Sequence, residues 1–189
     1  MIERLYTNLE QGSLLVASPD VEPGLYSRSV ILICEHTPAG SFGLVINKPF
    51  NIEIPEEILS IEELSNPKVQ LRMGGKMQQN QMMLLHTSEK VTTQTLKVLD
   101  GVYLGGDLNF LQENLKNESS PDILLCFGYT GWITGQLEKE FMAGMWYPYP
   151  ANKEIIFDTP IETIWRTVLR SMGGKYTTIS MIPEDLSLN

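Results

Sequence analysis

The sequence of 189 residues predicts a single strand-rich domain with a few helices, not a doubly wound sheet. Short apolar runs rich in β-branched residues recur along the chain, at 14–17, 29–35, 42–47, 69–73, 81–85 and 123–127. The segments between them are mostly proline- and glycine-rich turns, and helices do not alternate regularly with strands as a doubly wound sheet requires. The length suits one domain, and there is no internal repeat or linker that would divide it.

Taken in order, residues 14–17 form a short strand, closed by Pro19 and Pro23-Gly24. The run 29–35 (SVILICE) is continuously apolar, which predicts a strand covered on both faces. A five-residue loop, 37–41, leads into strand 42–47, and Pro49 ends pairing because it has no amide donor. Pro55 and the acidic residues after it suggest a short helix that 61–64 continues. Strands 69–73 and 81–85 flank Gly74-Gly75, and 91–99 is compatible with either helix or strand. Residues 101–106 make a short strand between glycines. Asp107 then caps a helix running to about Lys116, with Leu108, Leu111 and Leu115 on one side.

Residues 128–140 read as a glycine-rich turn after strand 123–127, a helix start capped by Thr134 and an acidic helix. Residues 154–157 suggest a strand. The clearest helix follows: Ile161, Ile164, Trp165, Val168, Leu169 and Met172 form one apolar face, with Thr159 as N-cap, Pro160 at N1, Glu162 at N3 and Gly173 as C-cap. The segment 182–189 reads as extended.

Composition narrows the function classes. Fourteen basic and 23 acidic residues give a net charge of −9, which disfavours nonspecific attraction to nucleic acid or anionic lipid. No apolar run approaches the roughly 20 residues that span a bilayer, so no membrane partner is expected. Cys34 and Cys126 are far apart, each in an apolar run, without a CxxC motif; this reads as a reduced, cytoplasmic protein. The N-terminus lacks the pattern of a secretory signal.

Several residues are candidates for chemistry. The glycine turn at 128–135 could offer amides to an anion, but it lacks the lysine and hydroxyl of a P-loop and the serine of a nucleophile elbow. The alternative is a structural corner with Trp132 packed on the core. Glu138 and Glu140 are two apart and do not share a helix face, so they read as a solvated acidic turn. Cys34 and His36 are two apart on a strand and should point to one side, the arrangement of a thiol nucleophile with its base. His86 could join them, or the three could ligate a metal, though without zinc-motif spacing; no metal or cofactor is expected. The alternative is a buried cysteine and a loop-bonded histidine. Asn47-Lys48 ends a strand, where a turn role and an anion contact are both open.

Nearly the whole chain resembles the bacterial YqgE/AlgH family. The resemblance rests on Gly12-Ser13-Leu14-Leu15-Val16-Ala17-Ser18-Pro19, on Ser29-Val30-Ile31 leading to Glu35-His36, and on Gly43-Leu44-Val45-Ile46-Asn47-Lys48-Pro49. It continues through Gly74-Gly75, His86, Gly128-Tyr129-Thr130-Gly131-Trp132, Gly135-Gln136-Leu137-Glu138-x-Glu140, Trp146 and Trp165. It implies an α+β domain with a branched, bent, mostly antiparallel sheet forming a barrel-like core and helices outside. Three positions depart from the family's pattern: Lys76 where proline is common, Thr130 where alanine is usual and Tyr26 where phenylalanine is common.

The resemblance implies no particular reaction. The family often carries the label of a transcriptional regulator, but this chain has no helix-turn-helix signature, and its charge disfavours direct duplex binding. The first expectation is a non-enzymatic binding or regulatory protein with an unidentified protein or small-molecule partner. Its surface would join His36, Asn47, Lys48, Gly74, Gly75, His86, Gly128, Gly131, Trp132 and Gln136, at loops where a scaffold displays function. The alternatives are a regulator acting on DNA directly or indirectly, and a thiol enzyme or redox protein using Cys34 with His36.

Overall fold

Nine strands form one branched sheet in the computed structural model, which describes residues 8–51, 62–90, 92–116 and 121–184. The strands are β1 (Ser13–Ala17), β2 (Val30–Thr37), β3 (Gly40–Val45), β4 (Val69–Met73), β5 (Met77–His86), β6 (Leu96–Leu99), β7 (Val102–Leu104), β8 (Ile123–Ile133) and β9 (Trp146–Pro150). Their order is β6-β7-β5-β8-β3-β2-β1-β9, and β4 adds to β8 off this path. All pairs are antiparallel except β4 with β8. The fold is therefore α+β with a branched sheet, as expected. The sheet stays open, however, because its end strands β6 and β9 are not paired with each other.

The branch point is β8. Its first half, Ile123 to Phe127, pairs with β4 on one side and β5 on the other; its second half, from Thr130 to Ile133, pairs with β3. Residues 128–133 thus continue the strand instead of turning out of it. The corner lies further on, at Thr134-Gly135. Thr134 does not cap the helix: its hydroxyl donates to the Ala39 carbonyl (3.0 Å), and Gly135 holds the N-cap position.

Gly128 makes the long strand possible. Its φ of +71° is a left-handed value that favours glycine. A Cβ there would lie 2.7 Å from the carbonyl oxygens of both Gly75 and Met77. Opposite it, β5 shifts register between Met77 and Met82. The disturbed ladder changes which face each side chain of β8 meets. Leu124 and Cys126 join one core with Leu14, Leu32 and Trp165; Leu125 and Phe127 join another with Leu84 and Leu111. Beyond Gly128, odd-numbered Tyr129 packs against the first core, and Trp132 enters a third with Ile33, Leu137 and Trp146.

Four α-helices lie among the described residues: α1 (Leu108–Leu115), α2 (Gln136–Met142), α3 (Ile164–Met172) and α4 (Lys175–Ile179). Asp107 caps α1 as expected, its carboxylate accepting from the Phe110 amide at 2.9 Å. Helix α3 buries Ile164, Trp165, Val168, Leu169 and Met172, which is the expected apolar stripe without Ile161, a half-buried turn residue ahead of the helix. It begins later than expected. Pro160 to Thr163 forms a separate turn, and the Thr159 hydroxyl donates back to Glu154 instead of capping. Gly173 ends the helix.

Other local differences have similar causes. The β2–β3 connection is the two-residue turn Pro38-Ala39, not a five-residue loop, because Thr37 already pairs with Gly40. Glu154–Asp158 is a π-helical turn instead of a strand. Three consecutive buried residues, Ile155, Ile156 and Phe157, suit a turn pressed on the core better than an alternating strand, and Asn152 receives the Ile155 amide at 2.8 Å. The ambiguous 91–99 segment yields strand β6. The acidic helix expected after Pro55 lies outside the described residues, apart from the 3-10 turn Glu62–Ser65.

The close approach of the Gly74-Gly75 segment to β8 gives a direct stability test. A Cβ on Gly75 would sit 2.1 Å from the Tyr129 carbonyl carbon and oxygen. Gly75→Ala should cost about 3 kcal/mol or more, because backbone must move. Gly144→Ala, where φ is +76° but nothing lies within 4 Å, should cost only about 1 kcal/mol. Urea unfolding midpoints of the two variants check this, and equal losses would contradict it.

Candidate functional site

The residues expected to form one site divide among several places. On β2 the alternation is broken between Ile33 and Glu35, where Cys34 occupies a bulge. Cys34 keeps the face of Val30 and Leu32 and is fully buried. After the bulge, His36 pairs with Ser41 and turns to the opposite side. The expected shared side of Cys34 and His36 therefore does not hold, and the thiol has no imidazole partner. Burial also raises its pKa, with Cys126 adding to the shift, whereas an attacking thiol needs a lowered one. The Cys34 Sγ instead contacts the Leu32 carbonyl at 3.6 Å.

His36 is half-buried. Its Nδ1 lies 2.6 Å from the Ser41 hydroxyl, and its Nε2 lies 3.9 Å from Glu138 on α2. His86 does not join it. That ring is fully buried at the far end of β5, against Phe110 (4.4 Å between centroids) and Tyr103 (5.9 Å), with Nδ1 accepting from the Ser88 amide. Burial lowers its pKa, favouring the neutral ring. Among the described residues no three His, Cys, Asp or Glu side chains cluster as metal ligands.

Asn47 and Lys48 have positioning partners. The Asn47 carbonyl oxygen accepts from the Val30 amide (2.7 Å), and its NH2 donates to the Arg28 carbonyl (2.8 Å). Lys48 Nζ donates to the Ser27 carbonyl (2.7 Å), and burial lowers its pKa. Both thus fasten the segment that follows the Asp20–Tyr26 loop. Gly74, Gly75 and Gly128 pack backbone against backbone.

What this scaffold builds is a cleft of about 470 Å³ between the Asp20–Tyr26 loop and the second half of β8. Trp132, Gly131, Thr130 and Gln136 line one side, Val21 and Leu25 the other. Lys76, Glu140, Met145 and Trp146 complete it. Of the residues expected to bind, it gathers Gly131, Trp132 and Gln136; it does not include His36, Asn47, Lys48 or His86.

Glu140 organises its inner wall. One carboxylate oxygen, Oε2, accepts from the indole N–H of both Trp132 and Trp146, each at 2.8 Å, and the other accepts from Gln136 Nε2 at 3.0 Å. The two indoles meet edge to face, 6.5 Å apart. The spacing of Glu138 and Glu140 predicts a solvated acidic turn, but Glu140 is the shared acceptor of two buried donors. A usable signal was present: Gln136 and Glu140 are four apart and share a helix face.

The outer wall unites the three departures noted in the sequence. The Thr130 hydroxyl donates to the Tyr26 hydroxyl at 3.3 Å, and the Lys76 amide approaches the same oxygen at 3.4 Å. Lys76 Nζ lies 5.1 Å above the Tyr26 ring, in cation–π range. Phenylalanine, alanine and proline would supply none of these polar groups.

The fold and the cleft define an α+β protein with a branched sheet and a ligand-sized groove beside its central strand. The AlgH-like family pattern matches residues 14–177, and the chain belongs to that family. A UPF0301 protein of Chlamydia pneumoniae is 52% identical over 184 residues, covering 97% of this chain and 98% of that protein. Another from Chlorobium phaeobacteroides is 34% identical over 186 residues, with the same coverage. Among solved structures, AlgH of Pseudomonas aeruginosa superposes with a TM-score of 0.70 at 26% identity, over 98% of this chain and 100% of that one. Protein DIP2367 of Corynebacterium diphtheriae shares the fold with a TM-score of 0.76 at 23% identity, over 93% of each chain.

Two measurements test this wall and the buried thiols. Glu140→Ala leaves two buried indole donors unpaired and should cost about 2–4 kcal/mol, with altered tryptophan fluorescence. Glu138→Ala should cost under about 0.5 kcal/mol, because its 3.9 Å pair is half-exposed. Burial raises both thiol pKa values, that of Cys126 to about 12, above the 9.0 of an unperturbed thiol. The thiol contribution to stability should be complete below pH 9 and lost as pH rises above it, because the unfolded chain ionises first. Thiol labelling in the native state should be slow at every pH where the chain stays folded.

Proposed function

We propose that this chain is a non-enzymatic binding or regulatory protein of the cytoplasm that captures its ligand in the cleft beside β8. The observation that carries the reading is the convergence of separate chain segments on one ligand-sized concavity. Pockets of roughly 300–1,000 Å³ with apolar walls and a few placed polar groups are the usual form of small-molecule sites. Here the apolar part comes from Val21, Leu25, Met145 and the tryptophans, and the polar groups from Tyr26, Thr130, Gln136 and Lys76.

Of the three carboxylates that line the cleft, Glu140 already holds three hydrogen bonds, and the buried thiols are not part of the lining, which disfavours the thiol-enzyme alternative. Two free, buried cysteines fit a reducing compartment. A regulator reading DNA directly gains no support, since the net charge is −9 and Asp20 and Glu22 line the cleft.

A fragment screen followed by amide chemical shifts tests the reading. Hits should cluster on Tyr26, Thr130, Gln136 and Met145. The double variant Thr130→Val/Gln136→Ala should weaken them about ten-fold, or about 1.4 kcal/mol, with circular dichroism unchanged. Hits scattered over the surface, or indifferent to the pair, would refute it.

A further inference from the structure

The cleft has a neighbour of opposite charge. A second groove, of about 540 Å³, shares Gly24, Leu25 and Lys76 with it and continues along Lys48, Pro49 and Gln79. The first groove is lined by the carboxylates Asp20, Glu22 and Glu140 and the single cation Lys76. The second is lined by Lys48 and Lys76 and, among the described residues, by no carboxylate. The chain as a whole is acidic, so this local excess of cations runs against its composition.

Neither Lys48 nor Lys76 forms an ion pair with a carboxylate of the described residues. Lys48 uses one donor on the Ser27 carbonyl, which leaves two of its three. Lys76 is exposed and held over the Tyr26 ring. Lys48 and Lys76 therefore line the groove with no ion-pair partner among the described residues. Cations that line a concave surface without an ion-pair partner create a field that favours an incoming anion. Glu184 contributes to the field at Lys48 without pairing with it.

We propose that the second groove is an anion subsite. Lys48 and Lys76 would take the phosphate or carboxylate group of a ligand whose apolar body extends past Leu25 into the tryptophan cleft. Lys76 is the hinge of this arrangement because it lines both grooves. The inference rests on the reading of the neighbouring cleft as a ligand site, and it adds the ligand's class: an amphipathic anion.

Amide chemical-shift titrations at fixed ionic strength test it, with sodium phosphate, acetate, phenyl phosphate and phenylacetate as probes and chloride as the control. Phosphate or acetate should give saturable shifts at Lys48, Lys76 and Gln79. The tighter of the two identifies the anionic group. Lys76→Gln, an exposed change, should weaken binding about ten-fold or more. The phenyl compounds should bind at least about ten-fold tighter than their parent ions and also shift Thr130 and Met145. Shifts no larger than in chloride, or unchanged in Lys76→Gln, would overturn the subsite. Equal affinity of the phenyl and parent ions would overturn the joint site. Loss of the ion response while neutral fragments still occupy the tryptophan cleft would reject the subsite alone; loss of both would reject the cleft as well.

Discussion

The structure depends on the passage of β8 through three sets of neighbours. One strand cannot pair with β4, β5 and β3 along a straight ladder, because each edge offers a single row of hydrogen bonds. Gly128 resolves the conflict. Its left-handed backbone lets β8 exchange partners along its length while Gly74 and Gly75 pack directly on the main chain. The Gly74 amide donates to Phe127 (2.8 Å), and its carbonyl receives the Val45 amide (2.8 Å), so this junction ties β3 to β8 as well. The three hydrophobic cores all include residues of β8.

The cleft follows from that junction. Beyond Gly128 the strand carries Thr130, Gly131 and Trp132 to the concave side and hands the chain to α2, whose Gln136 and Glu140 close the wall. The opposite wall is a loop that would have little structure of its own. It is fixed at its end by Asn47 and Lys48 and by Arg28, which stacks over Trp165 at 4.7 Å and donates to the Ile182 carbonyl at 2.9 Å. The motif residues Asn47 and Lys48 thus support the cleft from behind, although Lys48 also lines the adjoining groove.

The two departures from strand alternation decide what chemistry is available. A bulge at Cys34 sends the thiol into the core and His36 to the other face. The break at Gly128 sends Trp132 toward Trp146 and away from the core that holds Cys126. In both places one residue outside the ladder changes the neighbours of every side chain after it. The nucleophile reading and the present cleft differ by such shifts.

Much of the framework was legible in the sequence. A continuous apolar run marks β2 as a strand covered on both faces, another marks the first half of β8 as a strand, the apolar stripe marks α3, and Asp107 marks the start of α1, because these signals act between residues close in sequence. The site is legible in the sequence only in fragments: Trp132, Gln136 and Gly131 are among the expected binding residues, whereas Tyr26, Thr130 and Lys76 figure only as departures from the family's pattern. The order of residues alone therefore points to most of the strands, to the start of α1 and the stripe of α3, and to an α+β sheet of the AlgH-like kind, but not to β9 or to the π-helical turn Glu154–Asp158. Packing in three dimensions sets the open branch at β8, the bulge that parts Cys34 from His36, and the meeting of Tyr26 with Thr130 across 104 positions. Those outcomes rest on bulge placement and close backbone approach, which leave no periodic trace in the order of the residues.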